Sequence, residues 1–217
     1  MLKKNVVLIA DRISSHKDAT ISSKDLEVID NTYFAAMYEA IKNIAPSLTH
    51  YNSPEEFIDN ISKHKNDVVL SVWSGINSRS RRTLVPAICE AENIAYVGAD
   101  SYLQAICQDK DTSKLFARKY GIQSPRGTLI YSADDFSKLQ DYKFPLIIKP
   151  NFEGGSIGIF NRNLVDSMEE AVSLGKELLL NYCPLLAEEY IEGEEISYCI
   201  VGIPGKIDLF EAIRQYI

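Results

Sequence analysis

The sequence predicts an α/β protein made of two successive parts, and three observations carry that prediction. Up to residue 98, short β-branched apolar runs alternate with helical segments, an order typical of a parallel sheet with crossover helices. From residue 99 onward, strands and helices follow in α+β order and end in a hairpin. The chain has 217 residues, of which 46% are hydrophobic and 24% charged, so it can bury a substantial core.

The N-terminal part is predicted to contain three strands and three helices. The strands are short apolar runs at 5–10, 67–73 and 94–97. The helices are expected at about 30–44, after the capping sequence Ser53-Pro54-Glu55-Glu56, and at 84–92. No G-x-G-x-x-G follows the first strand, so the dinucleotide-binding fingerprint is absent.

The second part begins with a predicted helix over 101–120, which ends at Gly121. Shorter helices are expected from Ser132 and from Ser167 to about Asn181. Strands are expected at 127–131, 146–148 and 185–191, with 156–160 as the hairpin partner of 146–148. A final hairpin is predicted from 196–201 and 207–213, around the turn at Pro204-Gly205.

Charge and composition narrow the class of protein. The net charge of -7 argues against a general nucleic-acid binder, since phosphate backbones select basic surfaces. Four dispersed cysteines and three histidines do not predict a zinc site, and they fit a reducing cytosol. No apolar run approaches the ~20 residues of a membrane span, and Val6 to Ala10 is too short for a signal peptide. We therefore expect a cytoplasmic protein without a membrane partner.

The clearest chemical signal is a lysine at the end of an apolar strand, followed by a glycine-rich turn. Lys149 follows Leu146 to Ile148, and Glu153-Gly154-Gly155-Ser156-Ile157-Gly158 comes shortly after. A partly desolvated cation needs an anion, and backbone N–H groups in a glycine-rich turn can approach a phosphate closely. The alternative is a glycine-rich hairpin with a surface lysine.

A second signal is a concentration of carboxylates between Glu188 and Glu195. Carboxylates this close repel one another unless cations or hydrogen-bond donors face them. A solvated acidic turn would explain the pattern. Beside a phosphate site, the same strand could instead contact an adenine edge while a glutamate binds ribose hydroxyls.

Together these segments resemble the ATP-grasp superfamily, most closely its D-alanine–D-alanine ligase-like branch. The matching pieces are K-P-x-x-E-G-G-S-I-G from Lys149, E-E-Y-I-E-G-E-E-I from Glu188, and the helix over 98–116 with Gly121-Ile-Gln-Ser-Pro125. The resemblance covers about residues 94 to 202. It implies a Rossmann-like pre-ATP-grasp domain at 1–98, a central lid domain at 99–187, and the first strands of a third domain at 188–217.

The resemblance also implies an ATP site. Lys110 and Lys149 correspond to the two phosphate-contacting lysines. The loop that folds over the phosphates corresponds to Glu153, Gly154, Gly155 and Ser156. Glu188 would accept from the adenine amino group, Glu189 and Ile191 would line the adenine slot, and Glu195 would hold the ribose. The implied reaction is phosphorylation of a carboxylate to an acylphosphate, which an amine then attacks.

The implied partners are ATP and small amino-acid-like substrates, and a homodimer is compatible with the resemblance. Two N-terminal loops, Ala10 to Asp18 and Ser74 to Arg82, do not match the family. In the second loop, Arg79, Arg81 and Arg82 could bind a carboxylate or form a solvated basic loop. Gly155 also stands where the family's turn has the first of two serines.

Magnesium is expected for the family, but its ligands, an Asp or Glu set followed by an Asn, would lie beyond Ile217. Glu211 does not match that motif, so no metal ligand or catalytic residue is assigned. We therefore expect a chain that is not a competent ligase alone: a fragment, a truncated protein or a degenerate relative. A non-catalytic nucleotide-binding module is the main alternative, and an α/β interaction domain without nucleotide is a weaker one.

Overall fold

The computed structural model describes residues 2–11, 29–74, 80–203 and 205–214. Arg79 and Pro204, both named in the sequence predictions, lie outside these residues. No helix within the described ranges is long and apolar enough to cross a membrane.

The N-terminal part is a four-stranded parallel sheet with the order β2-β1-β3-β4. Its strands are β1 (Val6–Ile9), β2 (Leu48–Tyr51), β3 (Val68–Ser71) and β4 (Ala95–Val97). The three predicted strands are confirmed, and β2 is an addition. Its sequence Leu-Thr-His-Tyr is half polar and lies at the sheet edge, so it lacks the apolar run that identified the other strands.

Helices cover both faces of this sheet. Successive β1 residues point to opposite sides, so alternate residues pack on different helices. The helices are α1 (Asn31–Ile44), α2 (Pro54–Asn60) and α3 (Leu84–Ala91). Val7 and Ile9 pack with residues of α2 and α3, whereas Val6 and Leu8 pack with residues of α1. The predicted cap of α2 is present, since Ser53 Oγ accepts from the Glu56 amide at 3.4 Å.

The second part is an antiparallel sheet with the order β5-β8-β6-β7. Its strands are β5 (Gly127–Ile130), β6 (Leu146–Pro150), β7 (Leu164–Val165) and β8 (Leu185–Glu189). One face packs on α6 (Met168–Leu179) and on the 3-10 helix Ala133–Leu139. The predicted α/β class is confirmed. The domain division at residues 98 and 187 stays a prediction, and β8 runs across its second boundary.

The helix predicted over 101–120 is wrong as a single element. The structure has α4 (Ser101–Gln108) and α5 (Lys110–Lys119), separated at Asp109. Asp109 has an extended backbone, and its carboxylate accepts from the Thr112 amide at 3.0 Å. An aspartate at this position begins a new helix because its side chain satisfies an amide that the first turn leaves unpaired. The predicted end at Gly121 is confirmed, with φ +78 there.

The predicted hairpin between 146–148 and 156–160 is also wrong. The antiparallel partner of β6 on that side is β7, with Leu146 opposite Val165. The intervening chain forms turns, because Gly155, Ser156 and Gly158 all have positive φ between 58 and 71.

The final hairpin is confirmed as β9 (Ile196–Ile203) and β10 (Lys206–Arg214). Its described residues are exposed, except for the partly buried Ser197. Tyr198 and Phe210 stack with their ring centroids 5.1 Å apart.

Candidate nucleotide site

Two lysines bind one buried carboxylate on the face of the second sheet opposite α6. Glu188 of β8 is 5% exposed. One of its oxygens pairs with Lys149 Nζ from β6, and the other lies 2.5 Å from Lys114 Nζ of α5. The lysine side chains are only 14% and 19% exposed. The cluster therefore holds two cations and one anion, a net positive charge that would attract an anionic ligand.

The strand register explains why these groups meet. Leu146 and Ile148 of β6 are buried toward α6, so Lys149, one residue further along, points to the other face. Glu188 is opposite both Gly127 and Ile147, which places its side chain on that same face. A lysine on α5, which contacts β5, can then reach the carboxylate.

The electrostatic environment keeps Glu188 ionised. Burial by itself raises the pKa of this carboxyl, but hydrogen bonds and charge from Lys114 and Lys149 outweigh it, so the pKa is lowered. At neutral pH Glu188 is a carboxylate, which can only accept hydrogen bonds.

Lys110, the other predicted phosphate lysine, contacts the chain that leads into the glycine-rich turn. Its ammonium donates to the Pro150 carbonyl at 3.0 Å, to the Asn151 carbonyl at 3.4 Å and to the Glu153 carbonyl. Lys110 and Lys114 lie one helical turn apart on α5, so they share a face. That face therefore contacts both the turn and the buried carboxylate.

Asn151 is a fully buried polar residue that connects β6 to the break between α4 and α5. Its side chain donates to the Asp109 carboxylate at 2.8 Å and accepts from the Asp111 amide at 3.0 Å. These hydrogen bonds fix the start of α5, and with it Lys110, against the end of β6. Asn151, Asp109 and Lys114 were not predicted as site residues from the sequence. Their signals were the Lys149-Pro150-Asn151 order, the capping aspartate and the i, i+4 lysine spacing.

Glu153 is held by the N-terminal part of the protein. Its carboxylate lies 2.9 Å from Nη2 of Arg81, which belongs to the 3-10 helix Arg81–Thr83. The side chains are 14% and 8% exposed, respectively. The interpretation of a solvated basic loop is therefore wrong for Arg81, which binds a carboxylate of its own chain. Arg82 is exposed and contributes to a neighbouring cleft.

The glycine-rich turn borders that cleft, which has a volume of about 340 Å³. Its walls come from both parts of the protein: Arg82, Gln104, Cys107, Gln108, Lys110, Glu153, Gly154 and Gly155. Within the turn, the Ile157 amide donates to the Gly154 carbonyl at 3.1 Å, and Ser156 has φ +59. The turn that was predicted to fold over phosphates thus lies next to an open cleft.

The remaining predicted site residues follow Glu188 along the chain. Glu189 ends β8, and its amide donates to the Arg126 carbonyl at 2.9 Å. Ile191 is 66% exposed, and Glu195 is exposed just before β9. The structure thus brings Lys149 close to Glu188, and Lys110 close to the glycine-rich turn. Glu189 is the last residue of β8, whereas Ile191 and Glu195 lie on the segment that leaves the sheet.

The described residues contain no cluster of side chains that would identify a metal site. Within the ranges given above, no group of three or more His, Cys, Asp or Glu side chains lies together in a way that could hold a metal. No chemical step is therefore assigned to a metal here.

Comparison with known proteins shows what this architecture is similar to. No family model matches the chain. A D-alanine–D-alanine ligase from Aquifex aeolicus is 32% identical over 119 residues, which are 55% of this chain and 39% of that protein. The chain spans about two fifths of the length of the curated relatives it matches.

Solved structures extend the similarity over nearly the whole chain. The D-alanine–D-alanine ligase of Bacillus anthracis complexed with ATP has a TM-score of 0.67 at 23% identity, covering 98% of this chain and 67% of that one. The VanG D-Ala:D-Ser ligase of Enterococcus faecalis has a TM-score of 0.66 at 20% identity, covering 97% and 68%. At these identities the structures show a shared fold. The resemblance to D-alanine–D-alanine ligases, seen first in the motifs, is confirmed in sequence and in fold for part of those proteins.

Proposed function

We propose that this chain binds ATP and supplies the nucleotide site of a carboxylate–amine ligase that resembles the D-alanine–D-alanine ligases. The observation that carries the proposal is the Glu188 carboxylate, buried between Lys114 and Lys149 close to a glycine-rich turn. A purely structural ion pair needs only one cation, and a second one adds positive charge that a bound phosphate would neutralise.

In this proposal the nucleotide lies along the sheet face that carries Glu188. The carboxylate accepts a hydrogen bond from the adenine amino group, and Lys149 donates to a phosphate. Glu189 and Ile191 line the adenine slot, and Glu195 binds the ribose hydroxyls. Lys110 holds the chain before the glycine-rich turn, so that Gly154, Gly155 and Ser156 can close over the phosphates.

The proposed reaction has two steps. A substrate carboxylate oxygen attacks the γ-phosphorus of ATP, and the bond from that phosphorus to the β,γ-bridging oxygen breaks, which gives an acylphosphate and ADP. An amine nitrogen then attacks the acyl carbon. The new C–N bond forms, the carbon–oxygen bond to phosphate breaks, and the amine loses a proton. Positioning and charge neutralisation by the lysines would be the contribution of this part of the protein.

Amino-acid-like substrates fit this reaction and belong to the proposal. A homodimer, a cytoplasmic location and the absence of nucleic-acid and membrane partners stay predictions from the sequence.

Calorimetric titration of the 217-residue chain with ATP, with and without Mg²⁺, tests the proposal. We expect saturable binding that Lys149→Met weakens about tenfold or more, since a charge-assisted hydrogen bond to phosphate is lost. Lys143→Met is the matched control, because Lys143 is exposed on the segment just before β6. Absence of ATP binding to the unmodified chain in both conditions would contradict the proposal.

A further inference from the structure

We propose that Lys114 is a specificity-determining positioning residue, which keeps Glu188 ionised and in place so that the site accepts adenine and rejects guanine. This inference rests on the proposed ATP site. Neither the motifs nor the resemblance assigns a role to Lys114.

The geometry gives each Glu188 oxygen its own lysine. Lys149 reaches one oxygen from the neighbouring strand, and Lys114 reaches the other at 2.5 Å from α5. The Glu188 side chain is 7% exposed, so water cannot readily replace a lost partner. Two contacts from different directions also fix the plane of the carboxylate.

A second cation is needed because Lys149 has two partners in the proposed site, the Glu188 carboxylate and a phosphate. In the proposed site Lys149 donates to a phosphate when the nucleotide binds, and its contact with Glu188 then weakens. A buried carboxylate without a cation takes up a proton. Lys114 comes from a different element and can remain on Glu188 while Lys149 turns to the phosphate.

The position of Gly127 is a second observation on how closely Lys114 and Glu188 pack. Gly127 lies opposite Glu188 in the sheet. A Cβ atom added to it would lie 2.7 Å from Lys114 Nζ and 3.0 Å from Glu188 Cβ. A side chain at residue 127 would therefore require the Lys114 ammonium to shift from its present position.

The expected consequence is discrimination between purine bases. Adenine has an amino group at C6, which donates to a carboxylate. Guanine has a carbonyl oxygen there, which repels a carboxylate but accepts a hydrogen bond from a protonated acid. A ligand that leaves a buried polar group of the site without a matching partner binds much more weakly. The ionisation state of Glu188 therefore determines whether adenine or guanine is preferred.

The test measures dissociation constants for ATP and GTP in the unmodified chain and in Lys114→Met, Lys114→Arg and Lys119→Met. Lys119 is exposed at the end of α5 and serves as the matched control. We expect Lys114→Met to reduce the preference for ATP over GTP about tenfold or more, as for loss of one charge-assisted hydrogen bond. Lys114→Arg should retain most of the preference, and Lys119→Met all of it.

A second variant covers the case in which Lys114→Met does not fold. Gly127→Ala keeps both charges but displaces the ammonium, and it should reduce the same preference in the same direction. If the unmodified chain binds ATP and a folded Lys114→Met or Gly127→Ala chain keeps the full preference, the role of Lys114 is overturned and the ATP site stands. If the unmodified chain binds neither nucleotide, the proposed function itself fails.

Discussion

Arg81 Nη2 lies 2.9 Å from Glu153 Oε2, and this ion pair joins the N-terminal parallel-sheet part to the glycine-rich turn of the second part. Both side chains are mostly buried, so removing one of the two charges should be costly for the other. The turn proposed to cover the phosphates is thereby held by an element more than 70 residues away in the chain.

Arg81→Met should destabilise the protein by about 3 kcal/mol, because it leaves the Glu153 carboxylate buried without this cation. Urea unfolding of Arg81→Met, Glu153→Gln and the double variant measures the coupling. We expect the double variant to be more stable than the sum of the single effects by about 1 kcal/mol or more. Strictly additive effects would show that the pair contributes nothing to stability.

Asn151→Ala should lower the free energy of unfolding by about 2 kcal/mol, because the partly buried partners of its amide, Asp109 and the Asp111 amide, lose their hydrogen bonds. Asn181→Ala, at an exposed position after α6, is the control and should change stability by about 0.5 kcal/mol or less. Thermal and urea unfolding of both variants make the comparison. Equal stability of the two variants would contradict a structural role for Asn151.

Two glycines of the turn should respond differently to alanine. At Gly155, φ is +58 and an added Cβ meets nothing within 4 Å, so only the left-handed backbone resists, at a cost of about 1 kcal/mol. At Gly158, φ is +71 and the Cβ would also lie 2.7 Å from Pro150 Cγ. We therefore expect Gly158→Ala to unfold at lower urea concentration than Gly155→Ala. The opposite order would contradict the packing of Gly158 on Pro150.

The lowered pKa of Glu188 predicts a pH dependence of stability. A carboxyl whose pKa is lower in the folded than in the unfolded protein stabilises the fold above its ordinary pKa of 4.5, and this contribution is lost as the pH falls through the lower folded value. The stability difference between the unmodified chain and Glu188→Gln should therefore be largest near neutral pH and should shrink below about pH 4.5. Urea unfolding of both proteins across this pH range measures the difference in stability. A difference that stays constant would show that Glu188 does not titrate differently on folding.

The sequence predicted most of the fold because apolar runs and capping residues are local signals. Apolar residues identified the runs that form β1, β3 and β6, and the capping sequence at Ser53 identified the start of α2. Two errors concern contacts between residues that are far apart in the chain. Asp109 breaks the predicted helix, and Asn151, 42 residues further along, donates to its carboxylate. The strand β6 pairs with β7 and not with 156–160.

Local sequence motifs also predicted part of the candidate site. Lys149 and Glu188 were found as motif positions, but their direct pairing depends on strand register. Lys114 Nζ packs within 2.7 Å of the place that a Cβ atom at Gly127 would occupy, a contact that no local pattern reveals. Likewise, the arginine-bearing loop gave no sign that Arg81 would contact Glu153.

The most direct test of the ATP site is a crystal structure of the chain with a non-hydrolysable ATP analogue. We predict that the adenine amino group lies within hydrogen-bond distance of Glu188 and that a phosphate oxygen contacts Lys149 Nζ. A nucleotide bound elsewhere, with the pair between Glu188 and Lys149 undisturbed, would contradict the proposed site.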